Sequence, residues 1–203
     1  MQFWIWITAF GDSGLMVPGA IAIALWLASA ACYRLSPLWL GLFLVAAILI
    51  TLTKLLFLGW GLGIDALNFT GFSGHTTFAA MVFPVLTRLI LRAYRPDARP
   101  DGYFCGEAFA VLVGVSRLLV HAHSIAEVVA GMVLGLTLSR VFLGAMALTP
   151  GLRIIASRNL VLLSMLALTT LLSLGPAPTQ DVLGTVAIWL SGRDTPFSRG
   201  YLR

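Results

Sequence analysis

Charge is what this sequence has least of. Only 10% of its 203 residues are Asp, Glu, Lys or Arg, whereas 59% are hydrophobic. The mean hydropathy is +0.96. A water-soluble domain of this length cannot hide so much apolar surface, because surface-to-volume scaling forces many side chains outward. Cysteine is scarce too. Cys32 and Cys105 offer neither a disulfide framework nor metal-ligand spacing. Repeats, low-complexity tracts and linkers long enough to separate domains are all missing, so residues 1–203 read as a single membrane domain. The N-terminus lacks the basic region and long apolar run of a cleavable signal peptide. Trp4 and Trp6 suit an interfacial segment instead, since indole rings favour the headgroup level.

What is present is a series of apolar stretches of about 20 residues, the length that crosses roughly 30 Å of hydrocarbon. They predict helices near 15–33, 36–58, 74–94, 105–120, 124–147 and 159–175, with a very short turn between the fourth and fifth. The expected fold is all-α, a polytopic bundle of about six transmembrane helices. The stretch at 181–192 is too short to span and is expected at the surface. Arg34, Arg88, Arg92, Arg95, Arg99, Arg140, Arg153 and Arg158 fall on one side of this topology. Lys54, Arg117 and the tail arginines 193, 199 and 203 fall on the other. The positive-inside rule makes the arginine-rich side cytoplasmic. The net charge of +5 thus reads as membrane orientation, and nucleic acid is not an expected partner.

The polar residues then gather on the opposite face. Lys54 lies near the outer end of the second helix. "FSGH" puts Ser73, Gly74 and His75 at the outer start of the third, and Arg117 ends the fourth. His121, His123 and Glu127 surround the start of the fifth. Burying each ionisable group at membrane depth costs about 2.5–3.5 kcal/mol, so their convergence points to a function. Single residues have plainer roles open to them: Ser73 as a helix cap, Ser124 and Glu127 as a capping box, Lys54 and Arg117 as snorkelling cations. Together the groups suit phosphoryl transfer. Lys54 supplies a point charge, Arg117 a planar fork, and the "SGH" helix start free N–H groups for an anion. Two histidines from different helices can serve as nucleophile and proton donor. Glu127, one turn after His123, can hold the far N–H of that imidazole.

"FSGH" followed by "SR-x5-H-x3-E" resembles the type 2 phosphatidic acid phosphatase family, whose fold is shared with vanadium-dependent haloperoxidases. The resemblance covers about residues 8–147, including the lead-in "ITAFGDSG", and leaves 148–203 as an extra C-terminal helix and tail. It implies that His123 attacks phosphorus to form a phosphohistidine, that His75 protonates the leaving oxygen, and that Glu127 supports His123. Lys54, Ser73, Gly74 and Arg117 would bind the phosphate, and no metal or other cofactor would be needed. The implied activity is that of a lipid phosphate or diphosphate phosphatase in a bacterial inner membrane, its site facing outward and its partners a lipid phosphate and the bilayer.

Three departures accompany the resemblance. The first motif, Lys-x6-Arg-Pro, counts from Lys54 onto Gly61 and Leu62, so an expected phosphate donor is missing. Phe72 stands where the family has proline, and Glu127 where it has aspartate. Asp65 and Asn68 in the same outer loop suggest a different headgroup contact. Three other readings stay open on these residues: transfer to an acceptor lipid, a metal held by His121, His123 and Glu127, and binding or transport of a lipid phosphate without turnover.

Overall fold

The computed structural model describes residues 1–29, 33–94, 104–149 and 177–201. Their helices are α1 (Gln2–Ala9), α2 (Ser13–Ser29), α3 (Leu35–Trp60), α4 (Gly74–Tyr94), α5 (Phe104–Leu119), α6 (Ile125–Ala147) and α7 (Thr179–Ser191). Among the described residues β pairing is confined to an isolated bridge between Ile64 and Phe69 in the α3–α4 loop. The chain is an all-α membrane bundle, as its composition requires.

Four stretches among the described residues are long and apolar enough to cross a bilayer: Gln2–Ser29, Leu35–Trp60, Gly74–Tyr94 and Ile125–Ala147. The expected third span coincides with α4, and the fifth begins at Ile125 behind the cap Ser124. The expected fourth span forms as α5, a helix of 16 residues, short of the roughly 20 that cross hydrocarbon. The sixth, 159–175, lies outside the described residues. The N-terminal segment is helical and leads into α2 through a tight turn at Phe10–Asp12. The short C-terminal stretch forms α7, which packs on α3.

Helix α4 is the hub. It packs on α5 and α6 and also touches α2 and α3, and it buries Thr76 to Val82 without a break. Such burial is possible because its neighbours present small residues. On α6 the buried stripe runs Glu127, Gly131, Gly135, Ser139, at one residue per turn. A Cβ at Gly135 would stand 2.4 Å from the Thr77 carbonyl oxygen, and one at Gly131 2.9 Å from that of Ser73. The two backbones are therefore nearly in contact, the packing that small-xxx-small spacing permits in membranes. The opposite faces of α2, α3 and α6 expose Ile21, Leu25, Leu44, Ile48, Leu52, Val129 and Val133, the lipid-facing surface of the bundle.

Residues 120–124 join α5 to α6. His121 adopts a left-handed conformation, φ 56°. Its N–H reaches the Leu118 carbonyl, and that of Ala122 reaches Arg117. This is a Schellman ending, which satisfies the last carbonyls of α5 and turns the chain at once into α6. His121 is thus a turn residue, and its side chain is exposed.

Gly135→Ala is expected to lower the thermal midpoint of the detergent-solubilised protein, at an overpacking cost of about 1–3 kcal/mol. Gly144→Ala on the same helix, where an added Cβ meets nothing within 4 Å, should leave it unchanged.

Candidate active site

The alternation of helix direction decides which side chains meet. The end of α3, the starts of α4 and α6 and the end of α5 lie at one end of the bundle. Arg34, Arg88, Arg92 and Arg140 belong to the other end, where Arg140 pairs with Glu107 at 3.1 Å. At the first end lies a cavity of about 1170 Å³, and Lys54, Gly74, His75, Arg117 and His123 all line it. Five of the seven residues singled out from the sequence therefore share one cavity, although they span 70 positions of chain.

Glu127 stands directly behind them. Its side chain is wholly buried, and Oε2 lies 2.6 Å from His123 Nδ1. The same oxygen accepts from the Ser124 N–H at 3.1 Å, while Ser124 Oγ accepts from the Glu127 N–H. The capping box and the imidazole contact are thus one structure, because a single carboxylate serves both. Oε1 accepts from the N–H of Thr70 at 2.8 Å and from its hydroxyl. Donation from Nδ1–H to Glu127 leaves Nε2 as the nitrogen with a free lone pair.

Ser73 is placed differently from the expectation. It is fully buried and does not line the cavity. Its hydroxyl lies 2.9 Å from that of Thr76, and its N–H donates to the Glu127 carbonyl. The side chain is spent on fixing the start of α4 against α6, so only the helix N-terminus after it, at Gly74, faces the cavity. His121 is likewise absent from the lining, and no group of three His, Cys, Asp or Glu among the described residues could hold a metal ion.

The cations are individually tied. Lys54 Nζ donates to Gln180 Oε1 of α7 at 3.3 Å, and Arg117 NH1 donates to Thr8 Oγ1 of α1 at 2.7 Å. Arg117 Nε is buried with no hydrogen-bond partner, as is Ser13 Oγ. A buried guanidinium N–H without an acceptor is costly, and an anion in the cavity would remove that cost. The lining also includes Thr8, Asp12, Thr70, Gln180 and Arg199, together with an apolar set, Ile5, Ala47, Ile50, Phe57, Phe78 and Leu183.

Three groups have no place in the sequence reading of the site. Asp12 Oδ2 lies 3.7 Å from His75 Nε2, while its Oδ1 accepts from the N–H groups of Gly14 and Ala177. A signal was there to be used: Asp12 is the sole acidic residue before Asp65, and it lies within the lead-in "ITAFGDSG". Thr70 and Arg199 had none, for they approach Glu127 only through the fold. Arg199 NH2 lies 2.7 Å from Glu127 Oε2 and so brings the C-terminal tail into the site.

Burial pushes the His123 imidazole below its ordinary value of 6.5, and the Glu127 hydrogen bond and charge oppose this. Lys54 and Arg117 add to the lowering. At neutral pH the ring is therefore uncharged.

These features agree with the comparisons to known proteins. The family profile of the PAP2 superfamily matches residues 63–149. A protein of Klebsiella pneumoniae designated "Uncharacterized 22.5 kDa protein in cps region" is 37% identical over 199 residues, covering 97% of this chain and 95% of that one. No solved structure matches. The chain belongs to the PAP2 superfamily, a superfamily of phosphatases. The matched region begins just after Lys54 and Gly61 and so leaves the altered first motif outside it.

Titration of ¹⁵N-histidine-labelled protein in detergent should show His123 gaining its proton below pH 6.5. Glu127→Gln should lower that midpoint further, since it removes the two influences that raise it. A midpoint that rises in Glu127→Gln would contradict the geometry.

Proposed function

We propose that this protein is an integral-membrane lipid phosphate or diphosphate phosphatase that works through a phosphohistidine on His123. The observation that carries the reading is the 2.6 Å contact of Glu127 Oε2 with His123 Nδ1, behind a cavity lined by Lys54, Arg117 and His75. It gives the lone pair of Nε2 a fixed direction at a point where cations can hold a phosphoryl group.

In this mechanism Lys54, the Arg117 fork and the N–H groups at Gly74 bind the phosphate oxygens. His123 Nε2 attacks phosphorus while the bond to the leaving oxygen breaks, and His75 gives that oxygen its proton. Glu127 stabilises the positive charge that forms on the imidazole. Water then attacks the phosphohistidine, His75 takes its proton, and the P–N bond breaks to release inorganic phosphate. Rate enhancement comes mainly from positioning and from cations aimed at the equatorial oxygens. Asp12 Oδ2, 3.7 Å from His75 Nε2, is placed to orient that imidazole.

A lipid substrate is favoured by the shape of the cavity. Its charged end sits at the bundle terminus, and its apolar wall runs along α1, α2, α3 and α7. That arrangement suits a phosphate headgroup at the membrane surface with its hydrocarbon chain in the bilayer. Arginines at the opposite end favour an extracytoplasmic site by the positive-inside rule.

The test is phosphate release by the purified protein from phosphatidic acid and from a polyprenyl diphosphate, with a short water-soluble phosphomonoester for comparison. His123→Ala should lose at least about 1,000-fold in kcat, as expected for loss of a nucleophile. Arg117→Ala should lose about 10–100-fold in kcat/KM, the worth of a charge-assisted hydrogen bond. Chelators should leave the rate unchanged. A His123→Ala variant as active as the parent would overturn the mechanism, and preference for the soluble ester would overturn the substrate class.

A further inference from the structure

The site holds a guanidinium that the altered first motif does not supply. After α7 the chain turns at Gly192 and runs back across the end of α3. The Phe197 N–H donates to the Leu58 carbonyl at 2.8 Å, and the Arg193 guanidinium lies 4.0 Å over the Phe197 ring. The ring rests on Gly61. A Cβ there would stand 3.0 Å from the Phe197 ring, so a side chain at 61 and the tail compete for the same space. Two residues past Phe197, Arg199 enters the cavity. NH1 reaches the Asn68 carbonyl at 3.3 Å, and NH2 reaches Glu127 Oε2 at 2.7 Å. The Glu127 side chain has no exposure, whereas that of Arg199 retains 36%.

We propose that Arg199 is a positioning residue of the active site: the C-terminal tail, anchored by the Phe197 ring in the room that glycine leaves at position 61, carries Arg199 to the Glu127 carboxylate, which it holds in register with His123. This rests on the phosphohistidine reading for its catalytic meaning. Glu127 Oε2 takes hydrogen bonds from His123 Nδ1, the Ser124 N–H and Arg199 together. Without Arg199 the carboxylate keeps Thr70 and Ser124 as donors and stays ionised, but its charge then falls more fully on His123. The groups around His123 are Glu127 on α6, Lys54 on α3, Arg117 on α5, His75 on α4 and Arg199 on the tail. Asp12, before α2, bears on this set through His75 and Arg117. Removing one cation from this set favours the imidazolium, so His123 should take up its proton at higher pH.

Two readouts on Arg199→Gln in the full chain test this. The first is ¹⁵N-histidine titration in detergent, assigned with His75→Gln and His121→Asn. The second is turnover of the best substrate from the lipid panel across pH. The expected result is an upward shift of the His123 midpoint, a matching upward shift of the acidic limb of kcat, a fall in kcat of about tenfold or more, and KM within about twofold of the parent. An unmoved His123 midpoint overturns the proposal. So does a raised KM with parental kcat, which would make Arg199 a substrate ligand. If Arg199→Gln fails to fold, Arg199→Lys keeps the charge and loses the fork. Lowered kcat at parental KM then supports the proposal, and parental kcat overturns it. The titration needs no turnover, so a parent inactive on every lipid phosphate would sink the phosphatase reading while leaving this coupling separately measurable.

Discussion

A carboxylate sealed from both water and lipid must find its partners within the protein, and Glu127 finds them on every side. Thr70 approaches from the α3–α4 loop, Ser124 from the turn before α6, His123 from the same turn and Arg199 from the tail. An isolated buried ion would be severely unfavourable, and removing one member of such a set exposes the rest to that cost. The arrangement therefore fixes more than one side chain. It locks the α3–α4 loop, the α5–α6 turn and the C-terminal tail against one another at the end of the bundle where the cavity opens.

The bundle makes this convergence possible through close packing of backbones. Gly131 and Gly135 let α6 lie almost against α4, so that Glu127 sits under the start of α4 and the Ser73 N–H reaches its carbonyl. The same approach sets the height of His75 relative to His123. On the far side, α1 and α5 pack together and Thr8 holds the Arg117 fork from outside the hub. Chemistry at the cavity is thus tied to helix contacts two or three turns away, and the lipid-facing surfaces remain uninvolved.

Much of this was legible because two periodicities coincide. Apolar length marked α2, α3, α4 and α6 to within a few residues, and alternating helix direction then forced Lys54, His75, Arg117 and His123 to one end. The order of the motifs along the chain supplied the rest. The misplaced residue, Ser73, shows the limit of reading by type. A serine before a helix can face ligand or core, and here α6 packs so closely that it faces the core. Asp12 carried a signal that was passed over, whereas Thr70 and Arg199 were invisible for another reason. Their roles depend on contacts across 57 to 72 positions, and nothing local in the chain encodes which loop or tail will cover a buried acid. α5 formed where the apolar run placed it, at Phe104–Leu119, and at 16 residues it is shorter than the other helices read as spans.

Gly61 also bears on how such a sequence is to be repaired or judged. It ends α3 in a left-handed conformation, φ 70°, with an aromatic ring against its face. Any other residue at that position would strain the backbone and crowd the Phe197 ring, two residues before the guanidinium that reaches the buried acid. On the proposed reading of Arg199, an arginine restored at 61 would set one guanidinium against another for the same end of the bundle, so a gap in a motif need not be a loss.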